Sequence, residues 1–160
     1  MLNIIMGATQ KLLASEELKK FFTENQNLEG YLYIGYPIIG TVEGAFPIDA
    51  LWISREHGLV IFNLVENKDI ENYQEVQDDC ANKFEAKLKG YKQLVEKRNL
   101  CVDINVLTFA PKLKKIEEFD EDYPLVNSET LYKILDGYVW NKSEYYEDLI
   151  SVLQAISTIR

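Results

Sequence analysis

The chain has 160 residues, the length of one domain at the usual ~100–200 residues each, and 47% of them are hydrophobic, which excludes a disordered polypeptide. A chain of this size buries roughly two thirds of its unfolded surface, enough for a core that needs no staples. The formal net charge of -9 argues against strong autonomous binding to a nucleic-acid backbone, because positive charge gathers only locally, at residues 87–92, 97–98 and 112–115.

The first residues, Met1-Leu2-Asn3-Ile4-Ile5-Met6, have no basic region, and their apolar run is too short for a secretory signal. No stretch approaches the ~20 apolar residues of a membrane span, so a cytoplasmic protein that does not enter the membrane is expected. Residues 8–24 place Leu18, Phe21 and Phe22 at the i, i+3, i+4 spacing of an amphipathic helix. Residues 31–40, Tyr-Leu-Tyr-Ile-Gly-Tyr-Pro-Ile-Ile-Gly, are rich in strand formers, and Pro37 directs their later part toward an edge or a bulge. Tyr31, Tyr33 and Tyr36 offer rings able to stack on bases, although aromatic residues in strands more often belong to the core.

Residues 46–54 and 59–66 are the most strand-like in the chain, joined by the short polar link Arg55-Glu56-His57-Gly58. The second run is almost continuously apolar, so it belongs at the centre of a sheet covered on both faces. His57, the single histidine, is expected to be an exposed turn residue, and no Ser-His-Asp or Cys-His arrangement can be built around it. Residues 70–98 read as a long helix with a stripe of Val76, Cys80, Phe84, Leu88, Tyr91 and Val95. Asp69 and Glu71 stand at its positive end and Lys97 and Arg98 at its negative end. Cys80 and Cys101, with no C-x-x-C pair, are expected to be buried, reduced thiols.

Residues 100–109 alternate as a further strand ended by Pro111, and residues 117–122 form an acidic, solvated loop. Asn127 or Ser128 can cap a short helix through Leu135, and a final helix begins near Ser143. The chain stops at Ile159-Arg160 directly after an apolar helical repeat, as an N-terminal fragment of a longer polypeptide would. A frayed terminus reads nearly the same way. No G-x-x-x-x-G-K-[ST] loop is present, so the chain carries no ATPase machinery of its own. Together the order helix, three strands, long helix, strand, helices predicts an α/β domain.

This layout, and above all Phe-Pro-Ile-Asp49-Ala-Leu-Trp-Ile-Ser followed by Gly58-Leu-Val-Ile-Phe-Asn63-Leu-Val65, resembles the nuclease-related domains of the restriction-endonuclease-like, PD-(D/E)XK superfamily. The resemblance covers about residues 31–111. The segment Tyr-Ile-Gly-Tyr-Pro-Ile-Ile-Gly-Thr is also similar to N-terminal domains fused to UvrD-like superfamily-1 helicases. It implies a mixed sheet of four to five strands with a central hairpin, flanked by helices. In that family an acid on one strand and a Glu-x-Lys on the next hold Mg²⁺, which activates water while the lysine adds positive charge. Here Asp49 matches the aspartate, but the glutamate position falls on Asn63 and the lysine position on Val65.

Glu66-Asn67-Lys68 is itself a Glu-x-Lys three residues further on, so strand register decides. If Ile53 pairs with Leu59, Asp49 lies opposite Asn63, and Glu66 points to the other face. If Ser54 pairs with Leu59, Asp49 lies opposite Leu64, with Glu66 as a diagonal neighbour at ~7–8 Å and Lys68 on the same face. The first register fits the resemblance and is the expected one. It leaves a degenerate site without a metal, whereas the second gives a Mg²⁺-dependent nuclease with metal ligands Asp49 and Glu66. Asp49 also reads as a hydrogen-bonded structural acid, and Glu43 and Glu17 are remote candidates for a third ligand. The resemblance therefore implies an accessory domain that docks on a helicase motor domain in cis, with weak DNA contact. A Mg²⁺-dependent deoxyribonuclease and a stand-alone protein-interaction module are the alternatives.

Overall fold

The computed structural model describes residues 1–36, 38–116 and 120–158. In chain order the elements are β1 (Leu2–Met6), α1 (Leu12–Glu24), β2 (Gly30–Ile34), β3 (Ile38–Thr41), β4 (Gly44–Pro47), β5 (Ala50–Ser54) and β6 (Gly58–Leu64). Then follow α2 (Tyr73–Lys89), β7 (Val95–Glu96), β8 (Asn99–Leu100), β9 (Ile104–Phe109), β10 (Leu125–Val126), α3 (Leu131–Gly137) and α4 (Tyr146–Thr158).

The fold is mixed α/β. Six strands form one sheet in the order β1-β2-β5-β6-β9-β10. Strand β5 runs antiparallel to β2 and β6, while β1–β2, β6–β9 and β9–β10 pair in parallel. Five strands therefore end at the same edge of the sheet, and β5 starts there. Alternation along the strands sends one set of side chains to each face. Leu32, Ile34, Ala50, Trp52, Val60, Phe62, Leu64, Leu107 and Phe109 pack under α1 and α3. Tyr33, Leu51, Ile53, Leu59 and Ile61 pack under α2 and α4. Strand β6 is central and almost wholly buried, as its continuous apolar run predicts.

Several elements depart from the sequence expectations. Leu2–Met6 form a parallel edge strand, so α1 starts only at Leu12 and the sheet has six strands rather than four to five. The run 31–40 splits, because β3 leaves the main sheet and pairs with β4 in a separate hairpin. Pro37, where the sequence predicts an edge or a bulge, lies outside the described residues, as do residues 117–119 of the acidic loop and the terminal Ile159 and Arg160. The run 46–54 also breaks, at Ile48 and Asp49, between β4 and β5.

The long helix is shorter than its stripe. It ends at Lys89 with Gly90 as its cap, and Lys97 and Arg98 occupy the β7–β8 turn with left-handed φ of 52° and 71°. The cations at the negative end of α2 are therefore Lys87 and Lys89. Tyr91 and Val95 lie beyond this helix; Tyr91 still packs against the α2 face, and so prolongs the apolar period past the helix itself. Cys80 and Cys101 are both buried and free of any disulfide. No helix among the described residues is long and apolar enough to cross a membrane.

Candidate functional site

Strand β5 pairs with β6 through Ile53↔Leu59 and Ala50↔Phe62, so the register continues to Asp49 beside Asn63. Asp49 sits in the gap between β4 and β5, at the edge where β6 ends. Its Oδ2 accepts two hydrogen bonds, from the Leu64 N–H at 2.9 Å and from the Lys11 ammonium at 2.6 Å. Lys11 is the residue immediately before α1. Asp49 also faces α2, where its charge adds to burial in pushing the Cys80 thiol up to about 12, burial being the larger cause.

The Asn63 side chain is tied to β9. Its amide donates to the Thr108 hydroxyl at 3.1 Å, and the Gln77 amide of α2 donates to the same oxygen at 2.7 Å and to the Pro124 carbonyl at 3.0 Å. These groups lie on the α2 side of the sheet, where Gln77 and Thr108 are fully enclosed. Val65, at the family's lysine position, is half-buried, and its N–H donates to the Phe109 carbonyl.

Glu66 is engaged elsewhere. Its two oxygens accept the N–H groups of Leu13 and Ala14 at 2.8 and 2.5 Å, in the first turn of α1. The first turn of a helix leaves its N–H groups without intrahelical partners and carries partial positive charge, so a carboxylate there satisfies both. The helix has no cap from its own N-cap side chain, and Glu66 supplies one from 52 residues away. Thus the two acids proposed as metal ligands hold the start of α1 by different means, Asp49 through the Lys11 side chain and Glu66 through the backbone. Lys68 is exposed and lines an open cleft with Glu17. Glu43, exposed at the β3–β4 tip, pairs with Lys83 of α2 at 3.5 Å. Among the described residues, no three His, Cys, Asp or Glu side chains are placed to hold one metal ion.

His57 is not the exposed turn residue expected. Its N–H donates to Ser54 Oγ, its Nδ1 lies 2.7 Å from the Tyr138 carbonyl, and its ring lies 5.4 Å from that of Trp52. A carbonyl only accepts, so Nδ1 carries the proton and the ring ties the β5–β6 turn to the segment after α3. Tyr33 is core rather than a stacking platform, being 3% exposed with its ring against Tyr31.

Lys11, Gln77 and Thr108 were invisible as site residues in the sequence. Each acquires its partner only through tertiary contacts, and none belongs to a spaced motif. No family model, no curated protein and no solved structure matches this chain.

Proposed function

We propose that this chain is an accessory domain with a nuclease-like fold, of the kind attached to UvrD-like helicases, and that it works by docking on a motor domain and touching DNA only weakly. The observation that carries the reading is the Lys11 ammonium on Asp49 Oδ2 at 2.6 Å. At the position where the resemblance calls for a divalent cation between two carboxylates, the side chains present are one carboxylate, one ammonium and one neutral amide. Asp49 and Lys11 cancel in charge, so a divalent ion gains little there and must displace a cation already bound. Asn63 offers a carbonyl oxygen and no charge, and Val65 adds nothing to a phosphate's transition state.

Four further features support this reading. The succession α1, β2, β5, β6, α2, β9 repeats the layout on which the resemblance rests. The Ile53↔Leu59 register is the one that aligns Asp49 with Asn63. Glu66, needed by the alternative site, has both oxygens committed to α1. The charge of -9 suits contact with a basic protein surface better than with phosphates.

The test is a cleavage assay on supercoiled plasmid and on end-labelled duplex in Mg²⁺ or Mn²⁺, run beside Asp49→Ala. Equal, background-level cutting by both proteins is expected. Metal-dependent cutting that disappears in Asp49→Ala overturns the reading. Titration of a separately expressed UvrD-like motor domain then examines docking, for which saturable binding weakened by salt is expected.

A further inference from the structure

We infer that the cleft at the carboxyl ends of β6, β9 and β10 is a binding site for a phosphate-bearing nucleotide, held by Lys68, Lys112 and Lys114. These three lysines come from two loops more than forty residues apart, and the fold brings them to the wall of one open cavity of about 560 Å³. That volume falls within the ~300–1,000 Å³ typical of small-ligand sites. The cleft also lies where open α/β sheets bind ligands, outside the carboxyl ends of parallel strands.

Charge and rigidity both favour a phosphate. In a chain carrying -9 overall, Lys68, Lys112 and Lys114 bring three positive charges to one cleft, and none of them has an ion pair among the described residues. The loop bearing Lys112 and Lys114 is pinned. Asn127 Nδ2 donates to the carbonyls of Leu113 and Lys114 at 2.8 and 3.4 Å, and the Leu113 N–H donates to the Ala110 carbonyl at 3.1 Å. Ammonium groups on a fixed backbone lose less freedom when they close on an anion than groups on a loose loop. Glu17 and Glu129 also line the cleft. They repel a bare polyanion and accept hydrogen bonds from sugar hydroxyls or base amino groups, which selects a nucleotide over inorganic phosphate. The phosphate comes either from a free mononucleotide or from the end of a strand.

The inference stands on this cavity alone, so it can hold whether or not Asp49 supports cleavage. The experiment is fluorescence or calorimetric titration of the full chain at low salt with AMP, inorganic phosphate, and one oligonucleotide bearing either a 5′-phosphate or a 5′-hydroxyl. AMP binding tighter than inorganic phosphate is expected, and a preference for the 5′-phosphorylated strand identifies a strand end as the source. Lys112→Ala with Lys114→Ala should weaken binding about tenfold or more. Lys89→Ala, beside Ile104 at the start of β9, should leave it unchanged. All three are exposed side chains, and an unaltered melting curve confirms folding. Absence of binding by every probe, or binding indifferent to the Lys112/Lys114 change, overturns the inference.

Discussion

The two faces of the main sheet both carry apolar cores, and they differ at the edge where β6 and β9 end. Under α1 and α3 the core is dry and aromatic: Phe22 meets Trp52 and Phe62 edge-on at 5.3 and 6.0 Å, and all three are essentially inaccessible. Under α2 and α4 a core that includes Leu51, Ile53, Ile61, Phe84 and Leu88 gives way at that edge to Asp49, Asn63 and Thr108, with Gln77 and Cys80 descending from α2. That polar edge is where the nuclease resemblance places its chemistry. The difference teaches that polarity alone does not make a reactive site. The Asn63 and Gln77 amides share the Thr108 hydroxyl, and Asp49 is taken by Lys11 and the Leu64 N–H.

Substitutions on the two faces should sharpen that contrast. The largest effect belongs to the dry face, where Trp52→Ala removes a ring with no exposed surface and strands the Glu29 carbonyl that its Nε1–H satisfies at 2.8 Å. A loss of about 3–5 kcal/mol in denaturant unfolding is expected. At the polar edge Thr108→Val keeps the shape but deprives the two amides of an acceptor. The expected cost is about 1–3 kcal/mol, and a change near zero would mean that the network has no structural weight.

Glu66→Ala removes the cap from α1 and should cost about 1–2 kcal/mol, with selective loss of amide protection at Leu13 and Ala14 in hydrogen exchange. Lys11→Ala should cost less, at most about 1 kcal/mol, because the Lys11 and Asp49 side chains are 37% and 25% exposed.

The polar edge also carries a pH signature. Burial, helped by Asp49, raises the Cys80 thiol from 9.0 to about 12. The unfolded chain then releases this proton first, so the stabilising contribution is full below pH 9 and is lost as pH climbs toward 12. Thermal unfolding followed from pH 8 to 11 should show a falling midpoint, and Cys80→Ala should flatten the decline. The hydroxyl of half-buried Tyr138, raised to about 12 by burial, adds to it in the same direction.

Much of the fold was legible in the sequence, and the site less so. Strands β5 and β6, with their polar link, follow from composition and turn chemistry, and the central place of β6 follows from its unbroken apolar run. Strand β1 escaped because five residues at an edge carry no alternation strong enough to separate them from a leader of the helix. The overrun of α2 has a different cause, since an apolar period records which face is buried rather than whether the backbone remains helical. Asp49 and its register partner Asn63 were readable through the resemblance. The fate of Glu66 was not, because a cap contributed from 52 residues away leaves no local signal. The same holds for His57: its place in the turn follows from the sequence, but its anchor, the Tyr138 carbonyl, lies 81 residues on.

The proposal that the Lys11 ammonium takes a metal's place on Asp49 is tested most directly by paramagnetic broadening with Mn²⁺, read at the backbone amide of Leu64, which donates to Asp49. In the wild-type chain that signal should broaden no more than in Asp49→Ala. In the double variant Lys11→Ala, Asn63→Glu, which removes the ammonium and restores the second carboxylate, it should broaden selectively. Selective broadening in the wild-type chain that Asp49→Ala abolishes would show a live metal site and contradict the proposal.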